Sequence, residues 1–79
     1  MKKFGEWLTE RISGLQVNKA ECCRRTGVKY MNFYRYLKGE TNPSFTVAMK
    51  IAKLISEESQ TPLENVLLEM YNTVQIQDE

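Results

Sequence analysis

The sequence predicts an all-α fold of five helices in one small domain, and three observations carry that expectation. Apolar residues recur at steps of three and four through each long segment, the spacing of one face of an α-helix. Residues that cap helices stand where those runs begin, and glycines stand where three of them end. The 79 residues are 42% hydrophobic and 27% charged, a balance that folds rather than staying disordered. A chain of this size buries about 60% of its unfolded surface, which supports one modest core and no second domain.

The first helix is expected over residues 3–13, where Phe4, Leu8 and Ile12 stand at steps of four, Trp7 lies beside them and Gly14 follows. Asn18 is a good N-cap for a second helix with Ala20, Cys22, Cys23 and Thr26 turned inward. Gly27 then supplies the positive backbone angle of a tight turn. A third helix over residues 29–38 turns Phe33, Tyr36 and Leu37 inward, with Val28 just before it, and ends at Gly39. Glu40, Thr41, Asn42 and Pro43 make a polar connection, after which Ser44 caps a fourth helix. There Phe45, Ala48, Met49, Ala52 and Ile55 form a stripe that Val47, Ile51 and Leu54 widen, so this helix is expected to be mostly surrounded by protein. Thr61, Pro62 and Glu64 mark the start of a fifth, with the hydroxyl as cap, proline in the first helical position and the carboxylate three residues on. That helix runs to about residue 71. The TVQIQ stretch at residues 73–77 alternates and fits either a short strand or a frayed tail. The domain is therefore placed at residues 1–72 and the tail at residues 73–79.

A formal net charge of +1 conceals a division along the chain. All 11 Lys and Arg lie between Lys2 and Lys53 with Glu6, Glu10, Glu21 and Glu40 among them, leaving +7 there. The last 26 residues hold six acidic side chains and no basic one. Such a chain suits a polyanion-binding body whose acidic end is held away from the phosphates. No run of about 18 apolar residues occurs and the MKKFGEWLTE start lacks the apolar stretch of a signal peptide, so a soluble, cytoplasmic protein is expected, with no membrane partner. Cys22 and Cys23 are neighbours that point in different directions on a helix, which does not suit a mutual disulfide, and both read as small apolar fillers. With no histidine, no C-x-x-C spacing, no phosphate-binding glycine loop and no nucleophile motif, neither a metal, a cofactor, a small-molecule substrate nor an enzyme is expected.

The most informative segment is residues 18–39, a short helix, a glycine turn and a second helix, which is the outline of a helix-turn-helix DNA-binding unit. Between its inward positions the second of these helices shows Lys29, Tyr30, Met31, Tyr34, Arg35 and Lys38. An outer side that is both cationic and aromatic differs from an ordinary solvated face.

With these residues in view, the chain resembles the lambda-repressor-like, Cro/repressor-type helix-turn-helix regulators, also called the XRE family. The resemblance covers roughly residues 4–55. It rests on Phe4-Gly5-Glu6 at the start, Asn18-Lys19 entering the second helix, Gly27-Val28 at the turn, Lys38-Gly39 closing the third helix, and Asn42-Pro43-Ser44 before Lys50-Ile51-Ala52. Their separations across five elements carry the likeness. The resemblance implies a compact five-helix DNA-binding domain with the helix-turn-helix formed by helices 2 and 3, docking its third helix in the DNA major groove as a symmetric dimer. Phage repressors, Cro-like switches, antitoxins and restriction-system controllers all belong to this family. Two departures stand out. Cys23 replaces an alanine common in the family, one small residue for another. Ile12 and Leu37 occupy positions where several members pair an arginine with a glutamate, and two apolar residues there predict a direct contact.

Carried over residue by residue, the resemblance assigns base reading to Tyr30, Met31, Tyr34 and Arg35, and the chemistry agrees. The planar fork of Arg35 can give two hydrogen bonds to guanine, the tyrosine hydroxyls can donate to a base or phosphate, and Tyr30 or Met31 can cover a thymine methyl. Phosphate contacts are expected from Asn18, Lys19, Lys29, Asn32, Lys38, Thr41 and Asn42, with the positive end of the second helix behind Lys19. Arg24 and Arg25 fall toward the far side, where a solvated face or a salt bridge with Glu21 is the favoured reading.

One domain this small covers only a few base pairs, so a homodimer on double-stranded DNA is the expected working unit. Its surface is expected at the C-terminal end, with Leu67, Met70, Tyr71, Val74 and Ile76 as the contact candidates, beside Leu63 and Val66 on the same helix, some of which also dock onto the first and fourth helices. The competing reading is a protein-interaction version of the fold, an antirepressor, antitoxin or adaptor that meets another protein through its tyrosine-rich third helix.

Overall fold

The computed structural model describes residues 3–73 as five helices, α1 (Phe4–Ser13), α2 (Lys19–Thr26), α3 (Tyr30–Lys38), α4 (Phe45–Ser59) and α5 (Leu63–Thr73), with no strand among the described residues. The fold is all-α. Most of the tail, with Val74 and Ile76, lies outside the described residues.

Local chemistry sets most of the boundaries. At the start of α1, Lys3 N donates to Glu6 Oε1 at 3.1 Å, satisfying one of the donors that a helix N-terminus leaves open. Asn18 Oδ1 accepts from Glu21 N at 2.7 Å and Ser44 Oγ from Val47 N at 3.3 Å, so both expected N-caps are formed. Gly27 and Gly39 close α2 and α3 with φ of 74° and 79°. At Gly39 the next amide, Glu40 N, reaches back to Arg35 O at 3.0 Å, a Schellman closure.

The end of α4, which the sequence left open, is set by Gln60, and the start of α5 differs from the sequence reading. Helix α4 runs to Ser59 and is closed by Gln60 at φ 57°, with Thr61 N donating to Ser56 O at 3.1 Å. Thr61 does not cap α5 through its hydroxyl, because that hydroxyl is turned back to Ser59 Oγ at 3.0 Å. Pro62 instead precedes the first helical residue, and its carbonyl accepts from Val66 N at 3.2 Å.

The core gathers one face of each helix: Phe4, Trp7, Leu8 and Ile12 of α1, Cys22 and Cys23 of α2, Phe33 of α3, Ile51, Ala52, Leu54 and Ile55 of α4, and Val66 and Met70 of α5. Leu37 is half-buried against the same cluster that holds Ile12. Phe4 and Trp7 meet with tilted rings whose centroids are 5.6 Å apart. Helix α5 packs on α4 and α1, and α3 packs on α1 and α2, so that among the described residues one long side of α3 is uncovered.

Two expected core positions are exposed, and one residue expected on the surface is buried. Phe45, at the first turn of α4, is 77% exposed, because the buried stripe of that helix begins only at Ile51 and its first two turns are at most half-covered. Ala20 is exposed, on the rim of an open groove between the end of α1 and the start of α2. Met70 was expected at a contact between copies, yet it is 5% exposed and belongs to the monomer core.

Candidate nucleic-acid interface

Helix α3 is held by a single fully buried side chain, Phe33, with Tyr36 and Leu37 half-buried beside it. Each residue advances about 100° around an α-helix, so positions on α3 can be placed by their angle from Phe33. Met31 and Arg35, two residues either side, fall nearly opposite the core, whereas Tyr30, Tyr34 and Lys38 fall on one flank. Exposure is highest near the pole, and on the flank Tyr34 is more covered than Tyr30 although it lies further round from Phe33. Met31 is 66% exposed, Tyr30 56% and Tyr34 44%.

The flank is organised. The rings of Tyr30 and Tyr34, one turn apart, stack with centroids 6.4 Å apart and planes within 10°. Lys38 Nζ stands over the Tyr34 ring at 4.9 Å from its centroid, and Lys19 Nζ, at the first position of α2, reaches the same ring at 5.9 Å. Each such contact contributes about 0.5 to 1 kcal/mol at an exposed site. Residues expected on phosphates and residues expected on bases thus meet on one ring. Lys38 also lies 4.0 Å from Glu40 Oε2, which offsets part of its charge.

The remaining expected contacts surround this flank less tightly. Asn18 spends its carbonyl oxygen on the cap of α2, which leaves its NH₂ group as a donor beside Lys19. Lys29 is the residue just before α3, and Thr41 and Asn42 lie in the connection after it; all three are exposed, as is Asn32 on the opposite flank from the tyrosines. The structure brings Lys19, Tyr30, Tyr34 and Lys38 into contact. Asn32, Thr41 and Asn42 join no such cluster among the described residues.

Charge pairing separates the cations into two groups. Arg25 donates to Glu57 Oε1 at 2.7 Å and to Glu58 Oε2, Arg24 donates to Glu21 Oε2 at 2.5 Å, and Arg11 Nε faces Glu69 Oε1 at 3.4 Å. The expected Arg24–Glu21 pair is present, and the carboxylates of α4 and α5 fold back onto arginines of α2 and α1. Carboxylates of the last third of the chain thus pair with Arg11 and Arg25, while Lys19, Lys29 and Arg35 around α3, like Lys50 and Lys53 of α4, stay without an ion pair among the described residues.

Cys22 and Cys23 are free and buried in the α2 face that packs inward, and burial is the first cause that pushes both thiols above their ordinary value. They stay protonated and inert near neutral pH. Among the described residues no group of acidic, Cys or His side chains can hold a metal, and no helix is long and apolar enough to cross a membrane. Two features of the site escape sequence reasoning. The tyrosine stack was legible as an i, i+4 spacing, but Lys19 over Tyr34 and Arg25 on Glu57 and Glu58 join residues far apart in the chain. On α5, Leu68 is 59% and Tyr71 72% exposed, while Leu67 is half-buried against the core, so the apolar surface there is Leu68 with Tyr71.

Comparison with protein-family models, with curated proteins and with solved structures finds no match to this chain.

Proposed function

We propose that this protein is a sequence-specific, double-stranded DNA-binding regulator of the lambda-repressor-like type, reading the major groove with α3 as the second helix of a helix-turn-helix. The supporting observation is the uncovered side of α3. It presents Met31 and Arg35 outward, stacks Tyr30 on Tyr34, draws in Lys19 from α2, and keeps its cations free of carboxylates apart from Glu40. Phosphate binding draws on unpaired Lys and Arg, whereas an arginine held by two glutamates, like Arg25, has little left to offer. In this reading Arg35 is the leading base reader, with Tyr30 and Met31 beside it, and the lysines, Asn18, Asn32, Thr41 and Asn42 hold the backbone, while Tyr34 stands where the two sets meet. Two copies act on a palindromic operator with half-sites about 34 Å apart.

Fluorescence anisotropy on mixed genomic DNA at increasing salt tests the class of partner. Binding that weakens steeply between about 50 and 200 mM salt supports the DNA reading. Absence of binding at low salt supports the other reading, for which the exposed aromatic pair on α3 is the specific argument: a protein-interaction surface, as in an antirepressor, antitoxin or adaptor. Selection from a random DNA pool then tests symmetry, since a palindrome reports half-site, spacing and dimer together. Arg35→Ala should flatten the selected preference at one base pair, a loss of about 1 to 3 kcal/mol in discrimination.

A further inference from the structure

We propose that Tyr34 is a positioning residue: its ring gathers the Lys19 and Lys38 ammonium groups along one edge of α3, and its hydroxyl reads no base. The inference rests on the DNA reading above and divides the labour on α3 differently from the assignment by resemblance. Three observations carry it. Among the described residues Tyr34 is the one ring with two cations over it, one from its own helix and one from α2. Its other neighbour is the parallel ring of Tyr30, which limits the tilt the phenol can adopt. Its position, about 100° from buried Phe33, points it along the flank toward α2, whereas Met31 and Arg35 stand near the far pole of the helix.

Lysine side chains lose much rotamer freedom when they are fixed on a phosphate. A ring that already holds two of them reduces what remains to be lost on binding, which is preorganisation. Lys19 stands at the N-terminus of α2 and Lys38 at the C-terminus of α3, so a single platform sets the distance between two phosphate anchors on different helices. Base reading is then left to Arg35 and Met31 at the pole, with Tyr30 at the near edge.

Two substitutions separate the ring from the hydroxyl. Tyr34→Phe keeps the platform, and the expectation is an unchanged selected sequence and an unchanged salt slope. Tyr34→Leu removes the platform, and binding should weaken by roughly twofold to tenfold for each lysine that must now be ordered on binding, with the salt slope and the preference for the selected bases retained. Because Tyr34 is 44% exposed, both variants should fold, and the fluorescence of buried Trp7 checks that they do. A changed base preference in Tyr34→Phe overturns the proposal, as does wild-type affinity in Tyr34→Leu. The platform is also testable without DNA. Proton NMR of wild-type protein should show side-chain methylenes of Lys19 and Lys38 shifted upfield by the ring, and the shift should vanish in Tyr34→Leu and persist in Tyr34→Phe. If wild-type protein fails to bind DNA while these shifts are present, the DNA reading fails and the geometry stands; if the shifts are absent, the platform itself fails.

Discussion

Gly5 of α1 lies against the carbonyl of Tyr36 so closely that a β-carbon on Gly5 would stand 2.2 Å from that oxygen and 2.9 Å from the carbonyl oxygen of Leu37. Those carbonyls belong to the last turn of α3, whose outer side forms the candidate interface. The approach of α1 to α3 is therefore set by a missing side chain. Glycine inside a helix ordinarily costs about 1 kcal/mol relative to alanine, so Gly5→Ala would stabilise a helix with space beside it. Here the contact is backbone against backbone and neither helix can yield without shifting its core residues. Gly5→Ala should destabilise the fold by about 2 to 4 kcal/mol. Urea unfolding followed through Trp7, the only tryptophan and 1% exposed, gives the measurement, and an unchanged or raised midpoint would contradict the close approach.

Gln60 carries the opposite sign. It takes the left-handed position that Gly27 and Gly39 take elsewhere, at φ 57° and inside a Schellman closure. A side chain in that conformation costs roughly 1 to 2 kcal/mol, part of which glycine gives back through its freer unfolded chain. Gln60→Gly should raise stability by about 0.5 to 1 kcal/mol. Thermal unfolding reads it directly, and a lowered melting temperature would show that the Gln60 side chain contributes more than its backbone strain.

The same residue shows what could be read from the chain before its fold. Asn18, Ser44, Gly27 and Gly39 announce helix ends because their own side chains, or lack of one, do the capping, and each stands where the sequence places it. Gln60 ends α4 with no such chemistry, so the end of that helix was open. Phe45 looked like core because it continues the apolar stripe of α4, but periodicity fixes only which face a residue takes and not whether a neighbour covers it. On the interface, the Tyr30–Tyr34 and Tyr34–Lys38 contacts are local, one turn apart, and legible. The neutralisation of Arg25 and Arg11 depends on how α4 and α5 fold back, which no local pattern encodes.

Arg25 and Lys19 provide a paired test of that charge sorting. The Arg25 side chain is 25% exposed and its carboxylate partners are 56% and 28% exposed, so solvent screens much of the attraction. Arg25→Ala should lower stability only slightly and leave the salt slope of DNA binding as it was. Lys19→Ala should weaken all sequences about equally and lower the slope by about one unit, with a stability loss of no more than about 1 kcal/mol from its contact with the Tyr34 ring. Salt titrations of both variants on one operator decide it. A reduced slope for Arg25→Ala would place that arginine on a phosphate and move the interface toward the C-terminal end of α2.

On α5 the question is what remains outside once the core has taken its share. Val66 and Met70 are buried and Leu63 and Leu67 are half-buried against the core, which accounts for the inward face of the helix. Leu68 and Tyr71, three residues apart and on the same side, remain exposed. Neither is needed to fold the monomer. If two copies meet through α5, Leu68→Glu should shift sedimentation toward monomer at micromolar concentration, because burying an unpaired carboxylate in an apolar contact is strongly unfavourable. Its effect on unfolding of the monomer should stay within about 0.5 kcal/mol, as for an exposed position. A chain ending at Thr73 measures separately what Val74 and Ile76 add. Loss of association in the truncated chain with none in Leu68→Glu would assign the contact to the tail, and wild-type sedimentation as a monomer, on and off DNA, would remove the dimer from the proposed function.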